Sequence, residues 1–231
     1  MKKCVISQPR FFPGLHYLDR MMKTDVFVIL DNVKFNHRHE ENRTRLKSPN
    51  GMKWLTLPVH KKHKGQLIID TYLKESFPWK ENAKKTLEHF YGRAKFYREY
   101  SSEVFRIIDD FPKSLTKINV NSWIPALRLL GINCKIIYSS DLAIESKGVQ
   151  LLLDICKYVN ATTYISGAFG KEYIDIEHFK KFGIKVKFHE YEYPLYQQRF
   201  GEFIPFLSYL DTLFNVGLNK NLVLSGGRIK T

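Results

Sequence analysis

The apolar positions of the chain fall into two kinds of run. Short, nearly continuous stretches read as strands buried on both faces, Cys4-Val5-Ile6 and Asp25-Val26-Phe27-Val28-Ile29-Leu30-Asp31 first among them. Between them residues 15–22 carry helical spacing, after Pro9 and Pro13 have held the preceding stretch out of a helix. Strand, helix and buried strand within the first 31 residues make a βαβ unit, the seed of a parallel sheet with a right-handed crossover. Further on, helices are expected over 79–97, 101–108 and 114–130, with Gly131 as a C-cap before strand 134–138. Helix 147–159, strand 162–165, helix 171–182, strand 184–188 and an amphipathic helix over 204–215 then alternate. The stretch 33–73 breaks the pattern: Lys53 to Val59 and Gln66 to Asp70 are β-type, and Ser48-Pro49-Asn50-Gly51 is a turn signal. The expected fold is therefore α/β, a Rossmann-like parallel sheet flanked by helices, with a β-rich basic insertion after the second strand. One domain spans 1–220, with the helical segment at 79–130, and 221–231 reads as a flexible basic tail.

Composition sharpens this in one respect. The 231 residues hold 37 Lys and Arg against 23 Asp and Glu, a net +14. From Lys34 to Lys64 nine Lys and Arg face only Glu40 and Glu41, so a local +7 sits in 31 residues, with His37, His39, His60 and His63 added. Such a field draws phosphates, nucleotides or nucleic acid. Arg38, Arg43 and Arg45 favour bidentate binding of phosphate or carboxylate over a merely solvated face. No helix-turn-helix pattern, zinc-finger spacing or basic zipper supports DNA as the partner. No apolar window is long enough for a membrane span, the start lacks the apolar core of a signal peptide, and three scattered cysteines suit a reduced cytoplasmic protein.

Candidate chemistry collects in strand-end loops. Gln8-Pro9-Arg10-Phe11-Phe12-Pro13-Gly14 follows the first strand, where parallel sheets bind ligands. His16 could assist phosphate chemistry there, although a lone histidine in a first helical turn is more often structural. Asp31, ending the second strand, could serve as a base or bind a sugar hydroxyl, or simply cap its turn. His37 and His39 share one strand face without a third metal ligand. Asn42-Arg43-Thr44-Arg45 places two arginines on one face if extended. Ser166-Gly167-Ala168-Phe169-Gly170 to Tyr173 follows a strand without matching a named phosphate loop, and Ser166 lacks a nucleophile elbow. Tyr196 and Gln197 could stack on or hydrogen-bond a sugar or base. Asp211 is the position on its helix that core packing does not explain.

Taken together, these segments resemble the WbqC-like protein family. The resemblance runs through Gln8-Pro9 with Phe11-Phe12-Pro13, Asp25 to Phe35, Asn42-Arg43-Thr44-Arg45, Trp54 to Val59, Tyr164-Ile165-Ser166-Gly167 with Tyr173, Tyr193-Pro194, Tyr196-Gln197, and Phe203-Ile204-Pro205 through Ser208, Asp211 and Asn215. Gly14 stands where the family favours Trp, His16 where it favours Gly, and Lys34 in place of a common Gln. The 39–41 stretch replaces a Trp/Gln pair. His16 thereby loses weight as a catalyst. The resemblance implies surface-polysaccharide biosynthesis and a cytoplasmic step on a nucleotide-activated sugar. The expected activity is transfer of an acyl or aminoacyl group to a sugar amine, with Asp31 or Asp211 as general base. Arg38, Arg43 and Arg45 would hold phosphates, and Gln8, Asn42, Ser166, Tyr173, Tyr196 and Gln197 would orient the substrate. The partner would be a nucleotide sugar or other phosphorylated small molecule, with room for an aminoacyl-tRNA donor; no cofactor is indicated. A non-catalytic nucleotide- or RNA-binding protein, a nucleotidyltransferase-like enzyme and a scaffolding subunit are the alternatives.

Overall fold

The structure is a computed structural model and describes residues 1–60, 63–74 and 78–230; Lys61, Lys62 and Thr231, counted above in the basic segment and the tail, lie outside them. Its main sheet is mixed and mostly parallel. Strand β1 (Lys3–Ser7) lies between β2 (Val26–Ile29) and β6 (Thr163–Gly167), and the sheet order is β5-β2-β1-β6-β7-β8, with β5 Lys135–Tyr138, β7 Lys185–Tyr191 and β8 Gly227–Lys230. All neighbours are parallel except β7 and β8. The order reverses between β1 and β6, and that is where such sheets open a cleft at their carboxyl ends. Strand β3 (Arg43–Ser48) and β4 (Gly51–Thr56) form a separate antiparallel hairpin, with Gly51 at φ +90° in the turn expected from Pro49-Asn50-Gly51.

Strand alternation sends the apolar side chains to two cores. Val5, Phe27, Ile29 and Ile165 pack with α1 (Leu15–Met22), α2 (Trp79–Tyr91), α3 (Tyr97–Asp109), the short α4 (Leu115–Asn121) and α5 (Ile124–Leu130), and α8 (Tyr209–Val216). Cys4, Ile6, Val26, Val28, Tyr164 and Phe188 face α6 (Gly148–Tyr158) and α7 (Ile176–Lys180) on the opposite side. The hydrophobic run of β2 is buried at all four positions because helices cover both faces.

Several expectations are corrected. Residues 66–70 form no strand: the Gln66 amide donates to the carbonyls of His60 and Asp70 and to Thr71 Oγ1, and only isolated bridges Lys34–Leu67 and Val59–Leu73 remain. The single helix expected over 114–130 is two. Ser122 Oγ accepts from the Phe12 amide at the break, and Pro125, which has no N–H, occupies the first turn of α5. The helix over 171–182 is a 3-10 turn (Ala168–Glu172) followed by α7, whose cap Asp175 accepts from the His178 amide. The final amphipathic helix starts only at Tyr209, where the Ser208 side chain caps it.

The tail is the largest correction. Residues 220–225 form α9 and β8 completes the sheet against β7. A buried ionic knot holds it there. Asp19 accepts from Lys23 Nζ at 2.8 Å and lies 2.5 Å from His189 Nε2, and Lys23 also donates to the Gly227 carbonyl at 2.8 Å. A β-carbon at Gly227 would stand 1.8 Å from Asp19 Oδ2, so that glycine is there for close approach, not for freedom.

Candidate functional site

At the switch point a cleft of about 520 Å³ opens beyond β1 and β6. It gathers three of the expected residues, Gln8, Ser166 and Tyr173, together with Arg10, Arg20, Phe169 and the start of α6 at Gly148 and Val149. Among the described residues no carboxylate lines it. Ser166 is buried because the chain wraps tightly over it: a β-carbon at Gly170 would lie 2.1 Å from Ser166 Oγ. Phe169 and Tyr173, by contrast, are left 78% and 55% exposed on the cleft's rim.

The two arginines differ. Arg10 spends Nη1 on Glu40 (2.5 Å) and on His16 Nε2 (2.8 Å). An arginine only donates, so Nε2 of His16 holds the lone pair and Nδ1–H faces the Tyr193 hydroxyl. Burial, reinforced by Arg10, holds that imidazole well below its usual pKa and therefore neutral. Gly14 leaves room for this pair, since a β-carbon there would sit 2.5 Å from the Tyr193 hydroxyl. The departures at positions 14 and 16 are thus one packing unit. Arg20 is only 6% exposed, its Nε has no hydrogen-bond partner, and its guanidinium lies 5.4 Å from the centre of the Tyr17 ring. Burial and then Arg10 bring its guanidinium down to about 10.

A second cleft of about 360 Å³ adjoins the first at Gln8 and is lined by Lys34, His37, His39, His63 and Lys64, again without a carboxylate among the described residues. His39 Nδ1 stands 3.8 Å from Oε1 of buried Glu41. Among the described residues no group of three or more His, Cys, Asp or Glu is placed to hold a metal ion.

The other expected residues lie elsewhere. Arg43 and Arg45 do share a face, but both guanidiniums stack on Trp54 of the paired strand, at 4.0 and 5.1 Å. Arg45 is paired with Glu40, and Arg43 donates to the Arg38 carbonyl. Neither lines either of the two clefts described. Asn42 is buried and donates to the Leu57 carbonyl, while Arg38 is exposed. Asp31 ties the sheet ends together, accepting from Ser139 Oγ, Ser140 N and Ser140 Oγ at 3.0–3.1 Å. Asp211 is completely buried and accepts from the Tyr91 and Tyr196 hydroxyls at 2.9 and 2.8 Å. Gln197 is exposed; its neighbour Gln198 is the one built in, accepting from Lys47 Nζ and donating to the Tyr196 hydroxyl. Sequence reasoning passed over Arg20, which sits beside Leu18 and Met21 where a helical pattern reads as solvent face. No signal in the chain marks it.

The architecture is that of an α/β protein with a cleft at the reversal of its strand order. Residues 8–222 match the WbqC-like protein family, and the chain belongs to it. It is 30% identical over 219 residues, 94% of this chain and 95% of the other, to the uncharacterized protein Rv1507c of Mycobacterium tuberculosis (strain ATCC 25618 / H37Rv). No solved structure matches it. Among the described residues no helix is long and apolar enough to cross a membrane.

Proposed function

We propose that the chain is a cytoplasmic transferase of surface-polysaccharide biosynthesis that moves an acyl or aminoacyl group onto the amine of a nucleotide-activated sugar. The observation that carries this reading is the switch-point cleft, with two arginines, the hydroxyls of Ser166 and Tyr173, the amide of Gln8 and no acid in its described lining. The strand order β5-β2-β1-β6-β7 is what a Rossmann-like nucleotide-binding sheet would have, and its ligand position coincides with this cleft. Hydroxyl and amide groups suit a sugar, and arginines its phosphates. Arg38, Arg43 and Arg45 belong to the hairpin surface instead. Asp31 and Asp211 are occupied by the fold, so removal of the ammonium proton falls to another group; we assign it to His39 in the adjoining cleft, where its Nε2 would exchange its hydrogen bond with the Asn36 amide for the substrate.

The test is mass spectrometry of UDP-, dTDP- and GDP-amino sugars incubated with the protein and acyl-thioester or aminoacyl-tRNA donors. A sugar nucleotide heavier by the acyl group is expected; absence of product with every pair sinks the reading. One observation favours a rival, the basic second cleft. A non-catalytic RNA-binding protein would bind tRNA with log K falling roughly 0.7–0.9 per neutralised phosphate as log salt rises, and would form no product.

A further inference from the structure

Helix α6 points its N-terminus at the carboxyl ends of β1 and β2. Its first residues, Gly148 and Val149, line the switch-point cleft, and its N-cap residue Lys147 makes no side-chain capping bond. The first backbone N–H groups of an α-helix have no internal acceptor, and the helix dipole adds to their pull on an anion. A helix start alone would mean little. Here Arg20 lines the same cleft, nine-tenths buried, its Nε without a partner and no acid ion-paired to it among the described residues. Burying an uncompensated guanidinium is costly. Arg10, the neighbouring cation, cannot compensate it and repels it. Gly167, at the end of β6, lies beside the guanidinium: a β-carbon there would touch Arg20 Nη1 at an ordinary 3.4 Å. On the rim of the same cleft Phe169 and Tyr173 hold large aromatic faces in solvent.

We propose that this cleft seats a nucleoside diphosphate in one orientation. Its diphosphate lies across Arg20 and the N-terminus of α6, and its base rests against Phe169 and Tyr173. This deepens the reading of the cleft given above and rests on it for the nucleotide, not for the transfer chemistry. Arg20 is the phosphate residue and Phe169 the base residue. Base–aromatic stacking needs only a π-face, so the site accepts more than one base and takes its affinity mainly from the phosphates.

Isothermal titration with inorganic pyrophosphate, UDP and GDP tests the assignment. For the wild type, UDP and GDP are expected to bind about tenfold more tightly than pyrophosphate. Arg20→Met should weaken all three by about 10- to 100-fold. Phe169→Ala should remove the nucleotides' advantage and leave pyrophosphate unchanged. Melting of the ligand-free variants separates a binding role from a structural one: Arg20→Met should melt no lower than wild type, because it removes a buried unpaired charge. A large drop in its melting temperature, pyrophosphate affinity that survives Arg20→Met, or an unchanged UDP-to-pyrophosphate ratio in Phe169→Ala would each overturn the proposal, as would a wild type that binds none of the three. If all binding results hold and no amino sugar is acylated, the site stands and the transferase reading falls.

Discussion

Glu41 offers a stability measurement whose size can be worked from the structure. Its side chain is 2% exposed, Oε2 has no hydrogen-bond partner, and Oε1 stands 3.8 Å from His39 Nδ1. Burial pushes its carboxyl up from an ordinary 4.5 to about 7, despite the nearby Arg10 and Arg43. Because the folded protein holds this proton more tightly than the unfolded chain, the carboxyl carries no penalty below about pH 4.5. The penalty grows as pH rises and is complete above about pH 7. At 1.36 kcal/mol per pH unit the full effect is roughly 3 kcal/mol. Glu41→Gln abolishes the titration and keeps the shape. Any cost of its amide in the buried site is the same at every pH and cancels in a difference. Wild type and variant should therefore be compared by urea unfolding and thermal melting at pH 4.5 and pH 8. The variant is expected to gain roughly 3 kcal/mol on wild type between the two, equivalent to about 6–12 °C in a protein of this size. A stability difference that does not change with pH would refute the burial argument, and one that moves the opposite way would mean Glu41 is held as a carboxylate by the surrounding arginines.

Two further substitutions separate fold from function. Gly227→Ala places a β-carbon 1.8 Å from Asp19 Oδ2 and 2.3 Å from Lys23 Nζ, and should cost about 1–3 kcal/mol while opening 220–230 to protease; an unchanged digestion pattern would mean the ionic knot does not hold β8. Asp211→Ala strands two buried tyrosine hydroxyls near Lys47 and should cost about 3–5 kcal/mol, leaving UDP affinity of the folded protein intact. Full stability with lost turnover would instead restore Asp211 as a catalytic base.

How far the chain could be read depended on whether a residue's local pattern and its tertiary role agree. The opening βαβ unit was legible because β2 is apolar at every position and Pro9 and Pro13 punctuate the loop before α1. That Gln8, Ser166 and Tyr173 meet at one cleft was also legible, because loops after parallel strands gather at the carboxyl edge of the sheet. The tail was not. Ser225-Gly226-Gly227 has the composition of a linker, yet a β-carbon at Gly226 would lie 2.1 Å from the Glu192 carbonyl. Gly226 thus answers to packing against the end of β7, and Gly227 to Asp19, some two hundred positions away. Asp31 and Asp211 misled in the opposite direction. Both are acids where chemistry would want one, and both are consumed by hydrogen bonds to groups distant in sequence, Ser139 and Ser140 in one case and Tyr91 in the other.

The positive charge divides in the same way. Within the basic segment, Arg45 is answered by Glu40 and Arg43 is laid on Trp54, so those guanidiniums stiffen the hairpin. The clefts themselves are lined by Arg10 and buried Arg20 in one case and by Lys34 and Lys64 in the other. The two clefts share Gln8, whose side chain is half-buried between them. A group transfer brings two substrates to one point and excludes neither while the other is bound. On the transferase reading proposed above, two cationic hollows that meet at an amide would serve that geometry, one anionic ligand to each side of Gln8.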